Sequence, residues 1–315
     1  MQAFIPFITS FLLVVGLVPL MRYVALKVSF VDRPTVRKIH AHPIPLMGGI
    51  AIYLGCLTAL WLFDGFSNRF ITLLTGGTAL LIIGLVDDWY KTQGREFPVW
   101  PRLLVYIAAS AVPIWQGIQI EGISKVGGSG MYIFPVGLSV LATMAWVFGI
   151  MNMINFIDGV DGLASGIVTI SAGTLLVAAL LVGEEGSAVM AAIVVGASLA
   201  FLLFNFYPAR IFMGDAGAVF LGYVLAVLAI DGTLKQATFV SIAVPVLAMG
   251  VPILDTVIVF GRRLLSGKGL HRADKLHTHH TLMKWGLSQT QTVSFLYLIG
   301  ALFSLLSIII VLTST

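Results

Sequence analysis

The sequence has a single cysteine in 315 residues, Cys56, and it lies inside an apolar run. That excludes an intrachain disulfide and any metal centre built on several thiolates. Charge is scarce as well: Asp, Glu, Lys and Arg make up 10% of the chain and hydrophobic residues 58%. Ordinary soluble domains carry roughly 25% charged residues, so a water-soluble fold is excluded. Also missing is the polar/apolar alternation, in segments of about 10 residues, that a transmembrane barrel requires. Apolar runs long enough to cross a hydrocarbon core of about 30 Å recur instead along the whole chain. The first, in MQAFIPFITSFLLVVGLVPLMRY, has no basic residue before it and no small-residue cleavage site after it, so it reads as an anchor and not as a leader.

What is present is therefore an all-α, polytopic integral membrane protein, with one domain over 1–315. The apolar windows place ten spans, at about 3–21, 47–63, 70–86, 103–118, 135–151, 163–183, 187–206, 216–230, 237–260 and 291–311, with eleven as the alternative count. Of the 18 Lys and Arg residues, Arg69, Lys125 and Lys235 fall in one set of loops and all the others in the opposite set. By the positive-inside rule the basic set is cytoplasmic and both termini lie outside. Every histidine joins the basic set, as do Asp87, Asp88, Asp158, Asp161, Asp215 and Asp274. The other side holds EGISKVGGSG, a turn and not a phosphate loop, because no GK[ST] follows. Chemistry is expected at the cytoplasmic face.

Five segments on that face stand out. In DRPTVRKIHAHPIPLMGG (32–49), Arg37, Lys38 and His40 form a basic cluster, which a loop touching anionic headgroups would also explain. GLVDDWYKT (84–92) puts two acids, Asp87 and Asp88, at the end of a span, where each needs a partner or a watery cavity. MNMINFIDGVDGLASG (151–166) spaces Asn155, Asp158 and Asp161 at i, i+3 and i+6, so a helix there would gather them on one face. NFYPARIFMGDAGAVFLG (205–222) sets Asp215 among small residues at a helix start, able to admit an anion or to act as a plain N-cap. GKGLHRADKLHTHHTLMKWGLS (267–288) carries His277, His279 and His280 beside basic residues, a pattern better suited to a polyphosphate than to zinc. Carboxylates gathered at one cleft repel unless cations offset them. Asp and Asn oxygens suit Mg²⁺ or Mn²⁺, which together with Lys, Arg and His are the parts needed for phosphoryl transfer from a nucleotide.

Taken in order, DDWYK, NxxNFIDGVDGLA, FMGDAG and HTHH resemble the signature segments of the polyprenyl-phosphate N-acetylhexosamine-1-phosphate transferases, over nearly the whole chain. RKIHAHPIPLMGG and the HxHH pattern are similar to the WecA/TagO-like branch, which uses UDP-N-acetylglucosamine. The phospho-MurNAc-pentapeptide branch typically shows three consecutive histidines, where this chain has Thr278 between His277 and His279. The resemblance implies transfer of a sugar 1-phosphate from a UDP-N-acetylhexosamine to undecaprenyl phosphate with release of UMP. This step starts cell-wall or surface glycan synthesis at the bacterial plasma membrane. It implies Mg²⁺ (Mn²⁺ as the alternative) on Asp215, with Asp87 or Asp88 as a further ligand, and Asp87 as the base with Asp88 beside it. It further implies Asn155, Asp158 and Asp161 on the nucleotide side, Phe212 stacked on uracil, and Lys91, Arg37, Lys38, His40, Arg272, His277, His279 and His280 around the pyrophosphate and sugar. Asp87, Asp88, Asp158, Asp161, His279 and His280 form the implied catalytic set. Partners are the two substrates and membrane lipid, with no nucleic acid, and a homodimer stays open. A secondary transporter is the competing class, but its acids would sit near the midplane in two related halves. A phosphate monoester with a second pKa near 6 is already largely dianionic at neutral pH, which limits how much a base is needed.

Overall fold

The computed structural model describes residues 3–33, 43–124, 131–232, 239–265 and 277–314. Each of the ten apolar windows coincides with a helix or a helix pair, in chain order α1 (Phe4–Lys27), α2 (Gly48–Asp64), α3 (Asn68–Thr72) running through a π-helical turn (Leu73–Gly77) into α4 (Thr78–Thr92), α5 (Val99–Trp115), α6 (Val136–Ile157), α7 (Leu163–Val182), α8 (Glu185–Asn205), α9 (Gly214–Gly232), the pair α10 (Phe239–Ala248) and α11 (Gly250–Leu265), and α13 (Gln289–Ser314). A short α12 (Thr278–Lys284) precedes the last. Two minimal antiparallel pairs, β1 (Val31–Asp32) with β2 (Ile44–Pro45) and β3 (Gly122–Ser124) with β4 (Met131–Ile133), are the described strands. The chain is all-α and polytopic. By length and composition seven helices can cross a membrane, and an eighth if the bent α10–α11 pair is one span, whereas α2 and α5 are shorter apolar helices. The expected count of ten is therefore met by helices but not by full-length spans.

The reason α9 sits at the centre is its composition. GDAGAVFLGYVLAVLAIDG is apolar all round, and such a helix has no face to give to water; in it every residue from Ala216 to Gly232 is buried. It packs against α2, α4, α6, α7 and α8. Close approach to α4 depends on Gly84, where a side chain would run into the backbone of Ala216. Small residues serve this purpose in membrane interiors, where van der Waals packing and not water exclusion holds helices together. At the opposite end of the 68–92 helix, Arg69 ties α9 by its Asp231 (2.6 Å) and α2 by its Asp64 (3.1 Å). The 68–92 helix is thus held to α9 by the close approach at Gly84 and by Arg69 at its far end, which fixes the register of the acids on each.

The ninth window, expected to bend at its prolines, is broken outright. The segments Ile242–Ala248 and Gly250–Arg263 meet at 78°, between Pro245 and Pro252. A proline lacks the amide that would continue the ladder, and its ring crowds the preceding turn.

Candidate active site at one end of the bundle

The first acidic pair divides its labour between its two members. Asp88, buried at the end of α4, accepts hydrogen bonds from the backbone amides of Asp215 (3.0 Å) and Ala216 (3.2 Å). It therefore caps α9 from another helix, satisfying amides that a helix start leaves unpaired. Gly214 is required beside it: its φ of 69° is left-handed, and a side chain there would collide with the Asp88 carboxylate. The plain N-cap reading of Asp215 is corrected by this arrangement, since the cap is Asp88 and the Asp215 side chain is left for other partners. Asp88→Ala is expected to lower unfolding stability by about 1–2 kcal/mol, the usual loss for a helix cap, read from thermal unfolding in detergent.

Asp87, one residue earlier, points to a different set. Its Oδ2 lies 3.1 Å from Lys91 Nζ and 3.0 Å from Arg102 Nη1. The same Lys91 nitrogen lies 2.6 Å from Asp215 Oδ1, and the same Arg102 nitrogen 3.7 Å from Asp215 Oδ2. Two carboxylates from α4 and α9 thus close on one ammonium and one guanidinium. Lys91 is expected here from the sequence. Arg102, in the first turn of α5, is an addition, since its place just before the 103–118 window marks it only as part of the basic side.

This donor set can be tested against a metal. Hard carboxylate oxygens converging on one cation position suit Mg²⁺, which takes one or two carboxylates and completes its shell with water and phosphate oxygens. Among the described residues no group of three or more His, Cys, Asp or Glu side chains is placed to hold a metal, so a four-ligand zinc seat is not formed there. The residues fit Mg²⁺ on Asp87 and Asp215. Each Asp88 oxygen already accepts one backbone amide of α9.

The segment 151–166 is not one helix. The α6 helix ends at Ile157, Asp158 is its C-cap, and α7 begins only at Leu163, after Gly162 turns left-handed with φ 79°. The i, i+3, i+6 face expected for Asn155, Asp158 and Asp161 is therefore corrected: Gly159 and Gly162 leave a loop where a helix is expected. In that loop Asp161 Oδ2 accepts from the Ala209 amide at 3.0 Å, joining it to the stretch before α9. Asn205, which no sequence pattern singles out, joins the same two loops. It accepts from the Gly162 amide (3.1 Å) and donates to the Ile211 carbonyl (3.0 Å). Asn155 lies half-buried in the last turn of α6.

Asp158 is half-buried and feels the charges of the first cluster. Burial, then the negative charge of Asp215, push its carboxyl up to about 7, against a lowering by Lys91. A carboxyl raised on folding stabilises the folded state most below its unfolded pKa, and this contribution is lost as pH rises through about 7. Asp158→Asn is therefore expected to raise the unfolding temperature relative to the parent, more at about pH 8 than at about pH 5, in buffer with EDTA. An advantage independent of pH would contradict this assignment.

The histidine segment meets the Asp158 loop. His277 stacks on His279 with centroids 5.7 Å apart and 7° between planes, and the His280 ring lies 4.3 Å from that of His279. His279 is buried, its Nε2 has no hydrogen-bond partner, and it lies 2.9 Å from where a side chain on Gly159 would begin. Burial first, then neighbouring His280, lower its pKa to about 3, so the ring is neutral. Beside it a pocket opens, walled by Ile157, Leu163, Leu254, Ile258 and Leu296 with Asp255 and His279 at its polar end. Asp255 is a third residue absent from the sequence-based set, after Arg102 and Asn205; an acid alone in the 237–260 window is the available signal.

The remaining expected residues fall in two groups. Arg37, Lys38, His40 and Arg272 lie outside the described residues. Phe212 is half-buried beside Ala25, Phe30 and Leu46, and its backbone links β2 and α2 to the loop before α9, through Pro45 (2.8 Å) and Gly48 (3.0 Å).

The assembled pieces have parallels among known proteins. The profile described as "Glycosyl transferase family 4" matches residues 70–233, the stretch that carries Asp87, Asp88, the Asp158 loop and Asp215. The chain is 34% identical over 312 residues to the "Probable undecaprenyl-phosphate N-acetylglucosaminyl 1-phosphate transferase" of Bacillus subtilis (strain 168), covering 97% of this chain and 84% of that one. It is 31% identical over 306 residues to the "Decaprenyl-phosphate N-acetylglucosaminephosphotransferase" of Mycobacterium tuberculosis (strain H37Rv), covering 88% and 74%. It is 26% identical over 294 residues to the "Undecaprenyl-phosphate alpha-N-acetylglucosaminyl 1-phosphate transferase" of Escherichia coli (strain K12), covering 91% and 78%.

Proposed function

This chain belongs to glycosyl transferase family 4, and from that premise we propose that it transfers N-acetylglucosamine 1-phosphate from UDP-N-acetylglucosamine to undecaprenyl phosphate, releasing UMP and starting a surface glycan. The observation that carries the reading is the closure of Asp87 and Asp215 on Lys91 and Arg102 at one end of the bundle. Two acids and two cations meeting at one point suit a pyrophosphate that must meet a lipid phosphate.

In this proposal the lipid phosphate oxygen attacks the β-phosphorus of the donor in line. The bond from that phosphorus to the bridging oxygen breaks, and UMP leaves. Mg²⁺, or Mn²⁺ in its place, would be held by Asp87 and Asp215 and would neutralise charge on the pyrophosphate. Lys91 and Arg102 hold the donor's phosphates by charge-assisted hydrogen bonds. Asp87 acts more by position and charge than by taking a proton, because the acceptor is largely dianionic already and its Oδ2 is engaged by two cations. Asp158, Asp161 and Asn155 edge the nucleotide side. The neutral His279 backs the Asp158 loop at the sugar-phosphate side, and the isoprenoid chain follows the pocket along α11 into the bilayer. The excess of Lys and Arg in the loops at this end supports a cytoplasmic site with both termini outside.

The test is a release assay. Purified protein with undecaprenyl phosphate and Mg²⁺ receives UDP-N-acetylglucosamine, UDP-N-acetylgalactosamine or UDP-MurNAc-pentapeptide in separate reactions. UMP is expected with the first, at least about tenfold faster than with the others, a ratio worth about 1.4 kcal/mol of discrimination. Release with the muramyl peptide alone would move the chain to that branch, and no release with any donor would reject the reading.

A further inference from the structure

Asp255 has no place in the scheme above, yet it is almost fully buried, at 4% exposure, and both its oxygens are in use. Its Oδ1 accepts from the Thr278 amide at 2.6 Å, and its Oδ2 lies 2.7 Å from His277 Nδ1. An ionised carboxylate can only accept, so it fixes a proton on that ring nitrogen. The α12 helix starts at Thr278 with no side-chain cap of its own from His277, and Asp255 supplies one from α11.

What Asp255 holds leads directly to the site. His277 stacks in parallel on His279, and the His279 ring rests against Gly159 of the Asp158 loop. His279 is 2% exposed and its Nε2 is unpartnered. A buried polar atom without a partner carries a desolvation cost that is recovered only when a partner arrives.

We propose that Asp255 is a positioning residue for the transfer: from the bent half of the broken span it fixes His277 and the start of α12, and so aims the His279 imidazole at the Asp158 loop. The proposal rests on the transferase reading of that site. It also gives the 78° bend a role, since the bend is what brings α11 to the histidine segment while α10 stays packed on α7 and α13.

The test measures kinetics of single and double variants in the UMP-release assay. Asp255→Ala is expected to lower kcat by about 10- to 100-fold, by analogy with the loss of carboxylates that orient metal-ligating imidazoles. His279→Ala is expected to do the same, and the double variant to fall no more than about 2-fold below the lower single, because both remove one function. Asp255→Asn can re-form both hydrogen bonds with His277 in its other tautomer, and is expected to stay within about 3-fold of the parent. If Asp255→Ala fails to fold, His277→Phe keeps the stacked ring, loses the Asp255 bond and takes its place in the double-variant comparison. Multiplying single effects, or an asparagine variant as impaired as the alanine one, would overturn the proposal while leaving the transferase reading intact. A parent enzyme that releases no UMP would instead remove the transferase reading, and this proposal with it.

Discussion

Asp215→Asn is expected to lower transfer by roughly 10³-fold, since the charge stabilisation provided by a bound divalent ion is worth several kcal/mol and about 1.4 kcal/mol is a factor of ten. The substitution removes one of the two carboxylates that close on Lys91 and Arg102. It leaves the α9 cap alone, because Asp88 bonds the backbone amide of residue 215 and not its side chain. The variant should therefore keep its α9 cap but unfold at a lower temperature than the parent, because the Lys91 pairing is lost; at temperatures where it stays folded it should lose turnover, and its dependence on Mg²⁺ should shift to higher concentration. Turnover within about tenfold of the parent, with an unchanged Mg²⁺ dependence, would mean that Asp215 holds no metal.

The second large effect concerns Lys91 and is read without activity. Its ammonium occupies the point on which Asp87 and Asp215 converge, at 3.1 and 2.6 Å. Lys91→Met leaves the two carboxylates facing each other with Arg102 alone, so unfolding temperature in EDTA should fall, by about 2–4 °C for each kcal/mol lost. Added Mg²⁺ should then stabilise the variant more than the parent. Anything that binds only the folded state stabilises it by mass action, and the variant has no ammonium competing for the position. Equal Mg²⁺ responses in the two proteins would place the metal elsewhere.

Much of the architecture is legible in the amino-acid chain itself. Runs of apolar residues mark a helix at every expected window, and the scarcity of polar residues makes the few present informative. Lys91 and Arg69 illustrate this: the loop charges assign them to opposite sides, and they lie near opposite ends of one 68–92 helix. Partnership across long sequence separations is not legible. Nothing local distinguishes Asp87 from Asp88, yet one joins the ionic cluster while the other caps a helix 127 residues away. Arg102 and Asp255 escape sequence reasoning for the same cause, since their meaning lies in what α4, α9 and α12 bring to them. The helical face expected for Asn155, Asp158 and Asp161 fails on a local cause: α6 ends at Ile157, and Gly159 and Gly162 hold the next residues in a loop.

What sets this chemistry apart is that a sugar and its phosphate move together. Donor labelled with ³²P at the β-phosphate, incubated with undecaprenyl phosphate, Mg²⁺ and the purified protein, tests it directly. The label is expected to enter the organic-soluble lipid, and the released nucleotide to be unlabelled UMP. Label retained in released UDP, with the sugar alone on the lipid, would contradict it.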